Sequence, residues 1–151
     1  MSNDKQQQLE TMYASCRDNF PNVPDISAKD LMARLESGDE LVLVDVRQPQ
    51  EQEVSMIPGA ITADQFQQSA AEYKGKTIVP YCTIGGRSGM YSLQLQQQGW
   101  DVLNFAGSVI AWSQAGGQFE SNGEPSNKVF VHSEKYDIVH QDHEVVIPEE
   151  E

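Results

Sequence analysis

Positive charge is scarce in this chain. Ten Lys and Arg stand against twenty-three Asp and Glu in 151 residues, a formal net charge of −13. Such a balance repels phosphate backbones and anionic bilayers, which argues against nucleic acid or membrane surfaces as partners. Cysteine is scarcer still, with only Cys16 and Cys82. Two thiols make no disulfide framework and suit a reducing compartment. No apolar run is long enough to span a bilayer, and MSNDKQQQLETMY at the start lacks the apolar core of a signal peptide. The expected location is therefore cytoplasmic. Metal-ligand spacing is also missing: His132, His140 and His143 are scattered and read as surface residues.

What is present is a chain long enough for one ordinary domain with a real core. Its polarity is concentrated at the ends. Residues 1–22 read as an N-terminal helical arm, with Leu9, Met12, Tyr13 and Cys16 on one face. Residues 23–118 read as the folded domain. Residues 119–151 read as a C-terminal extension: a linker over Gln118–Asn127, a strand at Lys128–His132 that Tyr136–His140 pairs with as a short hairpin, and a disordered acidic tail ending at Glu151.

Within the domain, Leu41–Val46 and Ile78–Tyr81 are continuous rather than alternating apolar runs. That pattern belongs to strands buried on both faces, as in a parallel sheet sandwiched between helices. Helices are expected at Ala28–Ser37 behind a Ser27 cap, Pro49–Val54, Ala63–Tyr73, Ser88–Gln98 and Val109–Gln114. Pro80 sits awkwardly in the central strand, because proline cannot donate to a ladder, and reads as the place where pairing ends.

The chemistry concentrates in Cys82-Thr83-Ile84-Gly85-Gly86-Arg87-Ser88, between a strand and a helix. The first N–H groups of a helix have no internal partner and carry partial positive charge. Gly85 and Gly86 let the backbone curl inward, and Arg87 adds a planar fork of donors. A cysteine taken alone is more often a small buried hydrophobe. In this setting a reactive thiolate is the better reading, held by N–H groups from Thr83 to Ser88 and by the Thr83 and Ser88 hydroxyls. Asp45 and Arg47 end the other buried strand, so both polar clusters fall on the carboxyl edge of one sheet, where open α/β sheets bind ligands.

This loop resembles the active-site loop of the rhodanese family of sulfurtransferases, with Cys82 and Arg87 at its two ends. LVLVDVRQPQEQEVSMIPGAI (Leu41 to Ile61) and GWDVLNFAGSVIAW (Gly99 to Trp112) are similar to further segments of that family, so the resemblance runs from about Ile26 to Gly117. It implies an α/β, rhodanese-like three-layer fold: a central, mostly parallel five-stranded sheet with helices on both faces. It also implies a persulfide on Cys82, Arg87 orienting an anionic donor, no metal and no organic cofactor. The partners would be a small sulfur donor such as thiosulfate and a thiol, cyanide or protein acceptor. The family pairs an acidic residue with the arginine of its DVR segment, which here points to Glu51 or Glu53 with Arg47. Met56 stands where many members have histidine.

Two other functions stay open. Cysteine phosphatases and arsenate reductases use related loop physics but place five residues between cysteine and arginine, whereas this loop has four. A non-catalytic binding module is the other, although such modules often lack the cysteine. Nothing in the sequence places Cys16 beside Cys82 as a resolving thiol, and no signal for oligomeric state is present.

Overall fold

The two apolar runs lie side by side. In a computed structural model, which describes residues 2–148, β2 (Leu41–Asp45) and β4 (Thr77–Tyr81) pair in parallel from Leu41↔Thr77 to Asp45↔Tyr81. β3 (Ile61–Thr62) pairs with the far edge of β2, and β1 (Asp25–Ile26) pairs with β5 (Asn104–Phe105), all in parallel. The β1-β5 and β3-β2-β4 ladders are separate, and an isolated parallel bridge, Ile78–Val102, links β4 to the segment leading into β5. Ile78 donates to Asp101 O and accepts from Leu103 N, so the polar groups of Ile78 face the β5 side. Pro80 has the same parity, and its missing donor faces that side just where β5 turns to pair with β1. This is how proline fits a central strand.

Alternate strand residues feed two cores. Val42, Val44 and Ile78 pack with Phe66 and Leu95 from α4 (Ala63–Gln68) and α5 (Gly86–Gln97). Leu43, Val79 and Tyr81 pack with Leu31, Val109, Ile110 and Trp112 from α2 (Ala28–Glu36) and α6 (Ser108–Gln114). The result is the helix–sheet–helix sandwich expected of buried parallel strands. Local chemistry sets the helix starts: Ser27 Oγ accepts from Asp30 N, and Thr62 and Gln65 form a reciprocal capping box before α4. The helix expected over Ala63–Tyr73 stops at Gln68 and continues as a 3-10 turn, Ala70–Tyr73. Pro49 opens the short α3 (Pro49–Val54).

The ends of the chain differ most from the sequence reading. α1 (Ser2–Arg17) packs Leu9 and Tyr13 onto the domain. The stretch read as a linker forms an antiparallel hairpin, β6 (Phe119–Ser121) with β7 (Glu124–Ser126). Its turn is Asn122-Gly123, both at positive φ, the geometry that matches strand twist in a two-residue loop. β8 (Lys128–Phe130) pairs not with Tyr136–His140 but in parallel with β9 (Glu144–Val146), while Glu134–Tyr136 is a 3-10 turn. The driving force is burial: Val129, Val131, Ile138 and Val139 all join the main core, which a solvent-facing hairpin could not achieve. Of the tail expected to be disordered, Ile147–Glu151, Ile147 packs against the main core and Glu149–Glu151 lie outside the described residues. No helix among the described residues is long and apolar enough to cross a membrane.

Candidate active site

β4 ends at Tyr81, and the chain turns through Cys82 into α5. Gly85 at φ 120° makes this turn, a conformation L side chains rarely adopt. The loop is braced from α6: Val109 N donates to Cys82 O (3.1 Å) and Ile110 N to Thr83 O (3.2 Å). Cys82 N donates to Ser108 Oγ (3.1 Å), whose own proton goes to Phe105 O (2.8 Å).

Cys82 is 1% exposed. Among the described residues two backbone N–H groups reach its sulfur, Gly85 N at 3.2 Å and Ser88 N at 3.4 Å. The ring is thus narrower than the Thr83-to-Ser88 set the sequence suggested. The hydroxyls are also engaged elsewhere. Thr83 Oγ1 accepts from Arg87 Nη2 (3.1 Å). Ser88 Oγ lies 3.5 Å from the sulfur but donates to Asn104 Oδ1 (2.7 Å). That direction is forced: Asn104 Nδ2 donates to Gly85 O (3.1 Å), a pure acceptor, so the amide oxygen must face Ser88. Ser88 therefore presents a lone pair to a Cys82 thiol, and its hydroxyl must rotate away from Asn104 to donate to a thiolate. Ile84 is half-buried against the main core.

Asn104 is held in turn by Tyr13 of α1. Its Nδ2 donates to Tyr13 OH (2.9 Å), which donates to Asp25 Oδ1 (2.6 Å). Burial first, then the Asp25 bond and charge, push the Tyr13 phenol well above its ordinary value. The arm also lies directly on the loop. A Cβ at Gly85 would meet the Tyr13 ring at 2.6 Å, and one at Gly86 would meet Cys16 Sγ at 3.1 Å. Cys16 itself donates to Met12 O at 3.6 Å.

The acidic pairing differs from the sequence expectation. Arg47 binds Asp45, with Nε and Nη2 on the carboxylate (2.8 Å for Nη2 to Oδ2), and donates to Ser55 O (2.6 Å). This pair is buried and fastens the end of β2 to the end of α3. Glu51 belongs instead to Arg87: Nη1 donates to Oε2 at 2.9 Å and Nη2 to Oε1 at 3.0 Å, a bidentate fork. Glu53 is exposed. The reason is reach: Arg47 lies two residues past the Asp45 carboxylate that ends β2, while Glu51 faces across the sheet edge to α5. Glu51 is fully buried. Burial alone would push its carboxyl up, but the Arg87 bonds, the Gln48 N–H (2.8 Å) and the charges of Arg87 and His132 outweigh it and hold it below the ordinary range. For Arg87, burial works against the charge, yet Glu51 and the nearby sulfur hold it above its usual value.

His132, read from sequence as a surface histidine, arrives from the end of β8. Its Nε2 lies 3.0 Å from Glu51 Oε1 and 3.1 Å from Arg87 Nη2. Nothing in the sequence marks it, because its place depends on β8 folding back. Asn104 and Ser108 were more legible, as polar residues inside the buried segment VLNFAGSVI. No cluster of three or more His, Cys, Asp or Glu among the described residues has metal-binding geometry. A cavity of about 670 Å³ between α1, α2 and α6 is lined by Tyr13 and Gly107 but not by Cys82.

With a cysteine at the head of such a loop, the comparison with known proteins becomes decisive. Residues 27–115 match the model of the Rhodanese-like domain. The chain belongs to the rhodanese-like domain family. A sulfurtransferase of Allochromatium vinosum is 35% identical over 98 residues, which are 62% of this chain and 92% of that protein. Among solved structures, thiosulfate sulfurtransferase from Pseudomonas aeruginosa superposes with a TM-score of 0.63 at 22% identity, over 78% of this chain and 23% of that one. A rhodanese-like domain protein from Staphylococcus aureus gives 0.58 at 25% identity, over 67% and 100%. These likenesses show the rhodanese-like fold, and the family resemblance supports sulfur transfer as the general activity. Tyr13, Asp25 and His132 lie outside the matched span, so the flanks of this chain supply side chains to its site.

Proposed function

We propose that this protein is a sulfurtransferase that carries sulfane sulfur on Cys82. The observation supporting this most is the pair of N–H groups, Gly85 and Ser88, converging on Sγ at the start of α5. Backbone donors of this kind stabilise negative charge without needing to reorganise. With thiosulfate as donor, the Cys82 thiolate attacks the outer sulfur. A Cys82–sulfur bond forms, the sulfur–sulfur bond of thiosulfate breaks, and sulfite leaves with the electron pair. A thiol, cyanide or protein nucleophile then takes the outer sulfur and regenerates the thiolate, a two-step covalent cycle with ping-pong kinetics. No metal or organic cofactor enters the scheme. Two free cysteines suit a reducing, cytoplasmic setting, and the negative charge disfavours nucleic acid and membranes as partners.

Incubation of the full chain with thiosulfate, followed by intact-mass measurement, tests the reading. We expect the mass to rise by one sulfur atom in the wild type, not in Cys82→Ser, and to fall back on addition of cyanide. The net charge of −13 repels a dianion at long range, and salt screens this over about 8–10 Å. Loading should therefore speed up between low and moderate salt; slower loading would end the steering argument. The 1% exposure of Cys82 favours a second reading, a rhodanese-like binding module. Failure of every sulfane donor to add sulfur would select it. Phosphatase activity would select a third, which the four-residue spacing between Cys82 and Arg87 disfavours.

A further inference from the structure

The last strand carries the chain back to the mouth of the site. β9 runs parallel to β8 with Phe130 opposite Val146, and Val131 N donates to Val146 O at 2.9 Å. Continuing that register sets Ile147 beside Val131 and Pro148 beside His132. Residues side by side in a ladder share a face. Val129, Val131, Val145 and Ile147 accordingly pack on the main core, while His132 and Pro148 are exposed on the other face. Pro148 has no N–H to give to Val131 O, so the ladder stops there. The chain therefore leaves the strand pair at the level of His132 and on its face.

That place borders the Cys82 loop. His132 Nε2 lies 3.0 Å from Glu51 Oε1 and 3.1 Å from Arg87 Nη2. The Arg87 and His132 side chains are 39% and 43% exposed, so they form the open rim of a cluster whose other members, Glu51, Thr83 and Cys82, are buried. The three residues that follow Pro148 are Glu149, Glu150 and Glu151. Three residues span at most about 10 Å, which keeps their carboxylates close to this rim.

We infer that Glu149–Glu151 are a specificity-determining segment: they hold negative charge over the entrance to Cys82 and turn away small free anions in favour of uncharged sulfur donors. The inference rests on the sulfur-transfer reading for the nature of those donors. The charge barrier itself applies to any reagent that reaches the sulfur past Arg87 and His132. No fixed ion pair is required, because Glu51 already matches Arg87 with two bonds; the segment acts through its field. Three charges about 10 Å from an arriving monoanion slow it about fourfold in dilute salt and less than about twofold near physiological ionic strength.

The test uses the full chain and two alkylating probes that differ in charge, iodoacetate and iodoacetamide. With each, the Cys82 thiolate displaces iodide, so the ratio of the two rates cancels the ionisation and burial of the thiol. Peptide mass separates Cys82 from Cys16. Glu149→Gln, Glu150→Gln and Glu151→Gln together should raise the iodoacetate-to-iodoacetamide ratio about fourfold at about 10 mM salt, and the gain should shrink below about twofold at about 0.15 M. Sulfur loading by thiosulfate, a dianion, should gain about tenfold in the same dilute salt. A control with Glu36→Gln, Glu40→Gln and Glu72→Gln changes the net charge equally, at exposed positions toward the amino ends of β2 and β4. It should leave the ratio within about 1.5-fold. The proposal is overturned if the Glu149–Glu151 variant leaves the ratio unchanged, if the control raises it equally, or if Cys82 reacts with neither probe. A shifted alkylation ratio with no loading from any sulfane donor would uphold the charge barrier and overturn the sulfur-transfer reading instead.

Discussion

Replacing Glu51 with glutamine separates the structural and electrostatic roles of the sheet edge in one experiment. The substitution keeps the shape and removes the charge. Glu51 is fully buried and accepts from Arg87 twice and from Gln48 N once. Removing one partner of a fully buried ion pair costs about 3–5 kcal/mol. Here the Arg87 side chain is 39% exposed, so water recovers part of its solvation, and the amide oxygen of glutamine still accepts one bond. The expected loss is about 2 kcal/mol at neutral pH, or roughly 4–8 °C in Tm for a chain of this length. The pH dependence fixes the cause. The folded-state pKa of Glu51 is depressed, so its contribution is complete above the ordinary carboxylate value of 4.5 and is lost as pH falls through the lower folded value. Urea denaturation of wild type and Glu51→Gln at neutral pH and across the acid range should show a gap that closes as pH drops. A gap under about 0.5 kcal/mol at neutral pH, or one that persists unchanged into strong acid, would refute the reasoning. Glu51→Gln should also load from thiosulfate faster relative to an uncharged donor, because Arg87 loses its competitor.

Gly89 lies within α5, where alanine would ordinarily stabilise by about 1 kcal/mol. A Cβ there would meet the buried Phe20 ring at 2.1 Å, so Gly89→Ala should destabilise by about 1–3 kcal/mol in urea titrations; any gain in stability would contradict the packing of residues 18–22 on α5. Tyr13 and Tyr81 have folded-state pKa values raised, first by burial. Their contribution is therefore complete below the ordinary phenol value of 10 and is lost as pH rises beyond it. Stability should fall above about pH 10, with part of the phenolate absorbance appearing only on unfolding. Full phenolate absorbance in the still-folded protein would argue otherwise.

The central sheet was legible because each of its signals was local. The apolar runs of β2 and β4, the Ser27 cap and the glycine-rich loop all announce themselves over a few residues. Trp112 was read as core and is buried. The carboxyl-edge site followed from two strand ends falling together. Its wiring did not, because pairings depend on direction as well as neighbourhood: the resemblance pointed to Glu51 or Glu53 with Arg47, whereas Glu51 pairs with Arg87. The flanks were misread for a different reason. β6 and β7 contain few apolar residues, so only Asn122-Gly123 marked them, and parallel β8–β9 pairing joins segments with a turn and loop between them. Long-range pairing leaves no periodic trace, and His132 inherits its position from it.

The glycine contacts carry a practical lesson for anyone preparing a shortened version. A fragment trimmed to residues 27–115 would keep the sulfur, its loop and both arginines. It would also strip Tyr13 from Gly85, Phe20 from Gly89 and the imidazole from Glu51. Such a fragment would leave the nucleophile wetter, its loop looser and Asn104 short of a bond. Its kinetics would describe a generic member of the family rather than this one. Boundaries drawn by sequence similarity and boundaries drawn by mutual support need not coincide, and here side chains from both flanks rest on the shared segment.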